Sequence, residues 1–274
     1  VIDLHTHTTA SDGRCSPDEL VARAAATGVS VLGLTDHDTV AGCGPASLAC
    51  ERAGLEFVAG VEITAVASER DVHVLAYFFD PASTLIHAFL AVQRRYRLDR
   101  LREVIARLRS CGIHLDADAI LAPGLIDDAR AVGRPMIARA MIAAGHVLTV
   151  NEAFDRWLGR GRPAFVPRRG ASPAEVIEIV HGAGGIASLA HPVLIRNDAQ
   201  IPPLIDAGLD AIEAYHSDHS EADTTRYLSL ARSSNLLVTG GSDYHADSEH
   251  GGGGPGSVSL PRPEYERLKA RAAR

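Results

Sequence analysis

Histidines and carboxylates recur along this chain in a pattern that suits metal chemistry. The stretch Asp3-Leu4-His5-Thr6-His7 puts two imidazoles two residues apart at the end of a short apolar run. In a strand, residues i and i+2 point to the same side. Asp12 follows in the turn SDG, and Asp36, His37 and Asp38 end a second apolar run. Glu62 ends a third, His73 lies in a fourth, and His191 ends a fifth. Glu213, His216 and His219 end the sixth, Asp243 and His245 the seventh. Imidazole and carboxylate without cysteine suit catalytic zinc, manganese or iron rather than structural zinc. Six histidines (His5, His7, His37, His73, His191, His245) and three carboxylates (Asp12, Glu62, Asp243) exceed the needs of one ion. They are expected to hold two to three divalent ions, whose net positive charge favours an anionic substrate and activates a bridging water. Attack of a metal-bridged hydroxide on a phosphoester is the reaction this composition suggests.

Taken singly, the HxH pair reads as exposed histidines near a terminus, and His73 as a hydrogen-bonded core residue. Their joint recurrence at run ends carries the metal reading. Asp3, Asp36 and Asp38 are expected to orient ligating imidazoles or to cap helices. His216 is expected to face the substrate less than His219. His87, His114, His146, His181, His250 and the cysteines fall outside the pattern and receive no role.

The elements that must position these groups follow from periodicity. Apolar runs at 1–7, 29–38, 55–64, 72–79, 185–192, 209–219 and 236–245 alternate with helical segments. Two of those segments share a start signal, with Ser16 or Ser172 as N-cap, Pro17 or Pro173 first in the helix, and Glu19 or Glu175 closing a capping box. Strand–helix alternation with nearly continuous apolar strands predicts a parallel sheet covered by helices. Seven strands suggest a closed or nearly closed barrel, with the strand ends on one rim.

The rhythm breaks between residues 84 and 168, where a small helical insertion is expected. Leu98, Leu101, Ile105 and Leu108 form its first stripe; the arginines from Arg94 to Arg109 read as a solvated face. Residues 136–145 and 151–159 read as two shorter helices. This divides the chain into a barrel domain (1–83 and 169–274) and an insertion (84–168). The glycines at 251–254 read as a flexible loop, since no P-loop pattern follows them.

With 274 residues, 46% of them hydrophobic, the chain can bury a large core. A net charge of -7 opposes binding along an extended nucleic acid. No apolar stretch approaches the roughly 20 residues of a membrane span. Cys15, Cys43, Cys50 and Cys111 show no CxxC spacing, which fits a reducing compartment. With no signal-peptide pattern, a cytoplasmic location is expected.

The motifs HTH, TDHD, GVE, the lone His73, AHP and SDYH, in that order, resemble the PHP (polymerase and histidinol phosphatase) family. The resemblance implies an α/β fold, a distorted seven-stranded (β/α)7 barrel, and metal-dependent phosphoesterase activity with up to three ions. It places one ion on His5, His7, Glu62 and Asp243, a second on Asp12, His37 and His245, and a third on Glu62, His73 and His191. Glu62 then bridges two of them. The insertion and the segments GRPMIARAM, RPAFVPRRGAS and EAYHSDH resemble the small-nucleotide phosphatase branch. That implies hydrolysis of phosphomonoesters of nucleoside 3',5'-bisphosphates or monophosphates, with Arg134, Arg139 and His219 around the phosphate. Arg134 and His219 would act at the reaction centre, and Arg168 and Arg169 are weaker candidates. The rivals are a histidinol-phosphate phosphatase, disfavoured by the insertion, and a 5'-3' exonuclease on short oligonucleotides. A non-catalytic PHP module is disfavoured by the intact ligand set. The expected partner is a small phosphorylated substrate, with no membrane and no obligate protein.

Overall fold

The seven apolar runs become seven strands of one sheet, hydrogen-bonded in chain order. They are β1 (Ile2–Asp3), β2 (Val31–Leu34), β3 (Glu56–Ala67), β4 (Arg70–Tyr77), β5 (Ile186–Leu189), β6 (Ala211–His216) and β7 (Leu237–Gly241). The computed structural model describes residues 1–68, 70–127, 129–246 and 253–273. His250 and the first half of the glycine loop expected at 251–254 lie outside the described residues.

The sheet nearly closes. Leu4 N–H donates to the Gly240 carbonyl at 3.2 Å, Asp243 N–H to His5 at 2.9 Å, and His7 N–H to Tyr244 at 2.9 Å. Glycine permits close approach on both sides of the first strand, Gly241 at the seam and Gly33 on β2. A Cβ on Gly241 would lie 2.3 Å from His5 N, and one on Gly33 would lie 2.6 Å from the Leu4 carbonyl oxygen. Both are far inside contact distance, so only a residue without a side chain lets the backbones pass so closely.

The expectation of a parallel sheet fails at one strand. β1, β2 and β3 pair in parallel, as do β5, β6 and β7, but β4 runs antiparallel to both β3 and β5. Ala67 pairs with Arg70, so a hairpin joins β3 to β4. A parallel neighbour would need a crossover of a dozen or more residues, and the chain has none there. The reversal brings the start of β4 to the rim where the parallel strands end. This is why His73 stands early in its run while the other imidazoles stand late.

Helices α1 (Pro17–Ala26) and α2 (Cys43–Ala53) cover the first strands. The insertion holds α3 (Thr84–Ser110), α4 (Ala117–Ile126), α5 (Arg134–Ala143) and α6 (Val150–Ala153), which runs into a π turn at Phe154–Leu158. Then come α7 (Pro173–Gly182), α8 (Ile201–Asp206), α9 (Glu221–Ser233) and α10 (Arg262–Ala272). Both anticipated capping boxes form, Ser16 with Glu19 and Ser172 with Glu175. No described helix is long and apolar enough to cross a membrane.

α3 belongs to two cores. Ile86 and Leu90 in its first half pack among Val61, Val74, Leu75 and Leu189 of the barrel. Leu101, Val104, Ile105 and Leu108 in its second half meet Ile120, Ile137, Met141 and Leu158 in a separate apolar cluster. α4 was not anticipated, because Pro123 and Gly124 disfavour a helix. An Asp116 N-cap and the burial of Ile120 and Leu121 override them.

The reading of Arg94–Arg109 as a solvated face needs correction. Arg97 and Arg100 are only 6% and 7% exposed. Arg97 Nε donates to the Asp38 carboxylate and its Nη2 to Thr64 Oγ1 at 2.8 Å, while Arg100 Nε donates to the Val166 carbonyl at 2.9 Å. One face of α3 lies against the ends of β2 and β3, and its arginines find anions and carbonyls there.

Candidate metal centre

His5 and His7 both aim Nε2 at the same two oxygens. His5 Nε2 lies 3.2 Å from Glu62 Oε2 and 3.2 Å from Asp243 Oδ1; His7 Nε2 lies 3.2 and 3.1 Å from them. Ligand atoms around a tetrahedral ion at about 2.1 Å stand about 3.4 Å apart, so the four atoms outline a cage of ionic size. Glu62 serves further imidazoles. His37 Nδ1 is 3.2 Å from Oε2, while His73 Nδ1 and His191 Nε2 are 2.5 and 2.9 Å from Oε1. Beside this, Asp12 Oδ1 is 3.4 Å from His245 Nε2, and Asp12 Oδ2 is 3.8 Å from His37 Nε2. The ring of His245 stacks on that of His7 at 4.0 Å. All nine residues picked out in the sequence meet in one cluster.

The backbone is bent to aim them. His191 and Asp243 adopt φ of 26° and 54°, unusual for residues with side chains. Such strain persists where the surroundings over-determine it, as at functional sites. His191 N–H is held by Glu213 Oε2 at 2.8 Å.

Do these atoms fit an ion? His7 Nε2, Asp12 Oδ1, His37 Nδ1, His73 Nδ1 and Asp243 Oδ1 are buried without a hydrogen-bond partner. They converge on shared points instead of aligning with one another. Each buried, unsatisfied polar atom costs about 1–3 kcal/mol, which a cation at those points would remove. The residues fit divalent metal.

Electrostatics agree. Burial raises the carboxyls of Glu62, Asp12 and Asp243, but the surrounding imidazoles outweigh it and hold all three well below their ordinary range. Burial lowers the imidazoles. At His5 and His245 the carboxylates prevail, lifting His5 well above its usual value and His245 to about 10. At His37 burial wins, and the ring stays far below its usual value. The carboxylates demand positive charge, which protons or metal ions can supply.

A PHP domain pattern matches residues 3–143, more than half of the chain. The chain belongs to the PHP family. It is 33% identical over 283 residues to a 3',5'-nucleoside bisphosphate phosphatase of Chromobacterium violaceum, spanning 100% of this chain and 98% of that protein. It is 36% identical over 253 residues to a 5'-3' exoribonuclease of Haemophilus influenzae, spanning 89% of each. A solved structure from Bifidobacterium adolescentis, assigned as a metal-dependent phosphoesterase, superposes with a TM-score of 0.88 at 35% identity, covering 98% of this chain and 95% of that one. This PHP protein is an enzyme, a metal-dependent phosphoesterase, on the distorted seven-stranded barrel that the motifs implied.

The groups behind the PHP ligands differ from those expected. Asp36 binds Thr8 N–H, Thr8 Oγ1 and Ser11 Oγ; Asp38 binds Arg97 and Thr64 N–H. Asp3 binds Ser242, Gly256 and the His5 N–H. These three shape loops and orient no imidazole. That task falls to Glu213, which sequence reasoning left without a role: its Oε1 is 3.0 Å from His5 Nδ1. A ligand held at Nδ1 by a carboxylate presents Nε2 to the metal, with its tautomer fixed. The signal was available, for a lone carboxylate inside the apolar run AIEAY must find a partner when buried. His245 is set in the same way by a 2.8 Å contact from Nδ1 to the Asp243 carbonyl. On β6, His216 rather than His219 meets the cage, with Nε2 3.4 Å from Asp243 Oδ2. His219 stands behind it, ring to ring at 5.4 Å, its Nδ1 on the Ala214 carbonyl.

A second charged cluster adjoins the PHP site. Asp71, two residues before His73, has Oδ2 at 3.2 Å from Arg168 Nε, 3.4 Å from Arg134 Nη2 and 3.8 Å from Arg100 Nη1. Burial raises the Asp71 carboxyl, yet these guanidiniums hold it far below its ordinary range. Burial and mutual repulsion push Arg100 down to about 9 and Arg168 to about 10. Arg139 donates from Nη2 to the Asp12 carbonyl at 3.3 Å, and Arg169 is exposed.

Proposed function

We propose that this enzyme removes phosphate from a small nucleotide carrying a second phosphate, with a nucleoside 3',5'-bisphosphate as the best fit. The arginine cluster carries the reading: Arg100, Arg134 and Arg168 share one carboxylate beside His73, leaving positive charge unbalanced next to the cage. Guanidinium suits phosphate recognition through paired donors. In this reading the reacting phosphate sits at the His/carboxylate cluster and the second phosphate at the arginines. The name of the Chromobacterium relative supports the same substrate class.

Two to three manganese, iron or zinc ions would be held by His5, His7, Glu62 and Asp243, by Asp12, His37 and His245, and by Glu62, His73 and His191. Bound there, they would polarise phosphoryl oxygens and lower the pKa of a water. Glu213 keeps His5 in its ligating tautomer. His219, whose Nε2 is buried and unpaired, is reserved for a phosphate oxygen. Residues 84–168 act as a cap that contributes Arg100 and Arg134. A second reading, short oligonucleotides, draws on a neighbouring cavity of about 280 Å³ lined by Tyr96, Arg100, Arg107, Arg168 and Arg169, with Asp99 and Glu103 also on its wall. The Haemophilus relative is named a 5'-3' exoribonuclease.

Phosphate release separates these readings from the histidinol-phosphate rival. A nucleoside 3',5'-bisphosphate should show a kcat/KM about ten- to a hundredfold above the 5'-monophosphate, because one charge-assisted contact is worth about 1.5–3 kcal/mol. Equal values for the two, or a preference for histidinol phosphate, would contradict the proposal.

A further inference from the structure

The loop that carries Asp12 is held from two sides. From the barrel, Asp36 binds Thr8 and Ser11. From the insertion come three contacts. Ala131 N–H donates to the Ala10 carbonyl at 2.9 Å, Arg130 Nε to Thr9 at 3.1 Å, and Arg139 Nη2 to Asp12 itself at 3.3 Å. Thr39 Oγ1 ties the Ala129 carbonyl back to the barrel. Gly133 sits over the carboxylate, since a Cβ there would lie 4.0 Å from Asp12 Oδ2. The other Arg139 terminal nitrogen, Nη1, is buried without a partner. This guanidinium is therefore tied to the Asp12 loop through Nη2, whereas Arg134 reaches Asp71.

We infer that Arg130 and Arg139 are positioning residues that press the Asp12 carboxylate towards His37 and His245, so that the insertion sets ion affinity at this position. The inference rests on the proposed reading that Asp12, His37 and His245 hold an ion. It changes the role expected of Arg139 from substrate contact to brace. It also makes the insertion part of the metal centre, for a ligand on a loop is only as well placed as the groups behind the loop.

The test is a manganese titration of chelator-stripped enzyme, followed by calorimetry, with KM measured separately at saturating manganese. Asp12→Ala should lose one ion. Arg139→Ala and Arg130→Ala should weaken the weakest ion about ten- to a hundredfold, the usual scale for removing a group behind a ligand. Arg139→Lys should recover part of this, because an ammonium can still donate to one carbonyl. Arg134→Ala should titrate as wild type, and Arg139→Ala should keep a wild-type KM for the bisphosphate once manganese saturates. The inference is overturned if Asp12→Ala loses an ion while both arginine variants titrate normally. A raised KM at saturating manganese would return Arg139 to the substrate. If Asp12→Ala itself titrates as wild type, the ion assignment fails and the brace fails with it.

Discussion

Glu62→Gln should lower kcat/KM by more than about a hundredfold and leave the chain short of metal. Five imidazoles stand within 3.2 Å of its two carboxylate oxygens: His5, His7 and His37 at Oε2, and His73 and His191 at Oε1. Glutamine keeps the shape but turns one oxygen into an amide that donates, and it removes the charge that draws cations into the cluster. Groups behind metal ligands cost about 10–100-fold in affinity or activity when mutated, so a ligand shared between ions should exceed the top of that range. The loss should be equal for a bisphosphate and for a generic aryl phosphate, because both need the same centre. Activity within tenfold of wild type, with the ion count intact, would mean that Glu62 is no ligand.

Arg134→Ala should behave in the opposite way, selectively. This side chain reaches Asp71 and the Leu158 carbonyl and lies over the Phe154 ring at 5.3 Å. If it grips the phosphate that does not react, its removal deletes a contact worth about 1.5–3 kcal/mol. At about 1.4 kcal/mol per tenfold, kcat/KM for a 3',5'-bisphosphate should fall about ten- to a hundredfold. An aryl phosphate, with no second phosphate, should lose little, and metal content should not change. Arg134→Lys should restore only part, since an ammonium cannot form a paired fork. Equal losses on both substrates would put Arg134 on the reacting phosphate; no loss on either would make it a structural arginine.

What the sequence disclosed depended on whether periodicity or partnership decided the matter. The barrel was legible because apolar runs and capping boxes are local signals, and the ligand residues could be gathered because they stand where those runs end. β4 was not, since VHVLAYFF reads the same whichever way the strand runs. Its hairpin also lacks the usual glycine signal, with Ser68 taking φ of 49° instead. Partnership was harder to read. Burial inside AIEAY says that Glu213 needs a partner but not that the partner is His5 Nδ1, while Asp3 accepts from Ser242, Gly256 and the His5 N–H. Arg97 and Arg100 look like surface charges on a helical wheel, and only the packing of α3 on the strand ends shows that they are buried. The depths of His216 and His219 were equally hard to read, because the chain turning after β6 sets His216 against the cage and His219 behind it.

In this enzyme the strand-end histidines and carboxylates are proposed to build one multi-ion centre that performs the hydrolysis. Elemental analysis of the active enzyme, freed of loosely bound metal and assayed for phosphate release on the same sample, tests it most directly. Two or three divalent ions per chain are expected, with activity lost as a chelator removes them and regained as manganese returns. At most one ion per chain in fully active enzyme, or undiminished activity after chelation, would contradict it.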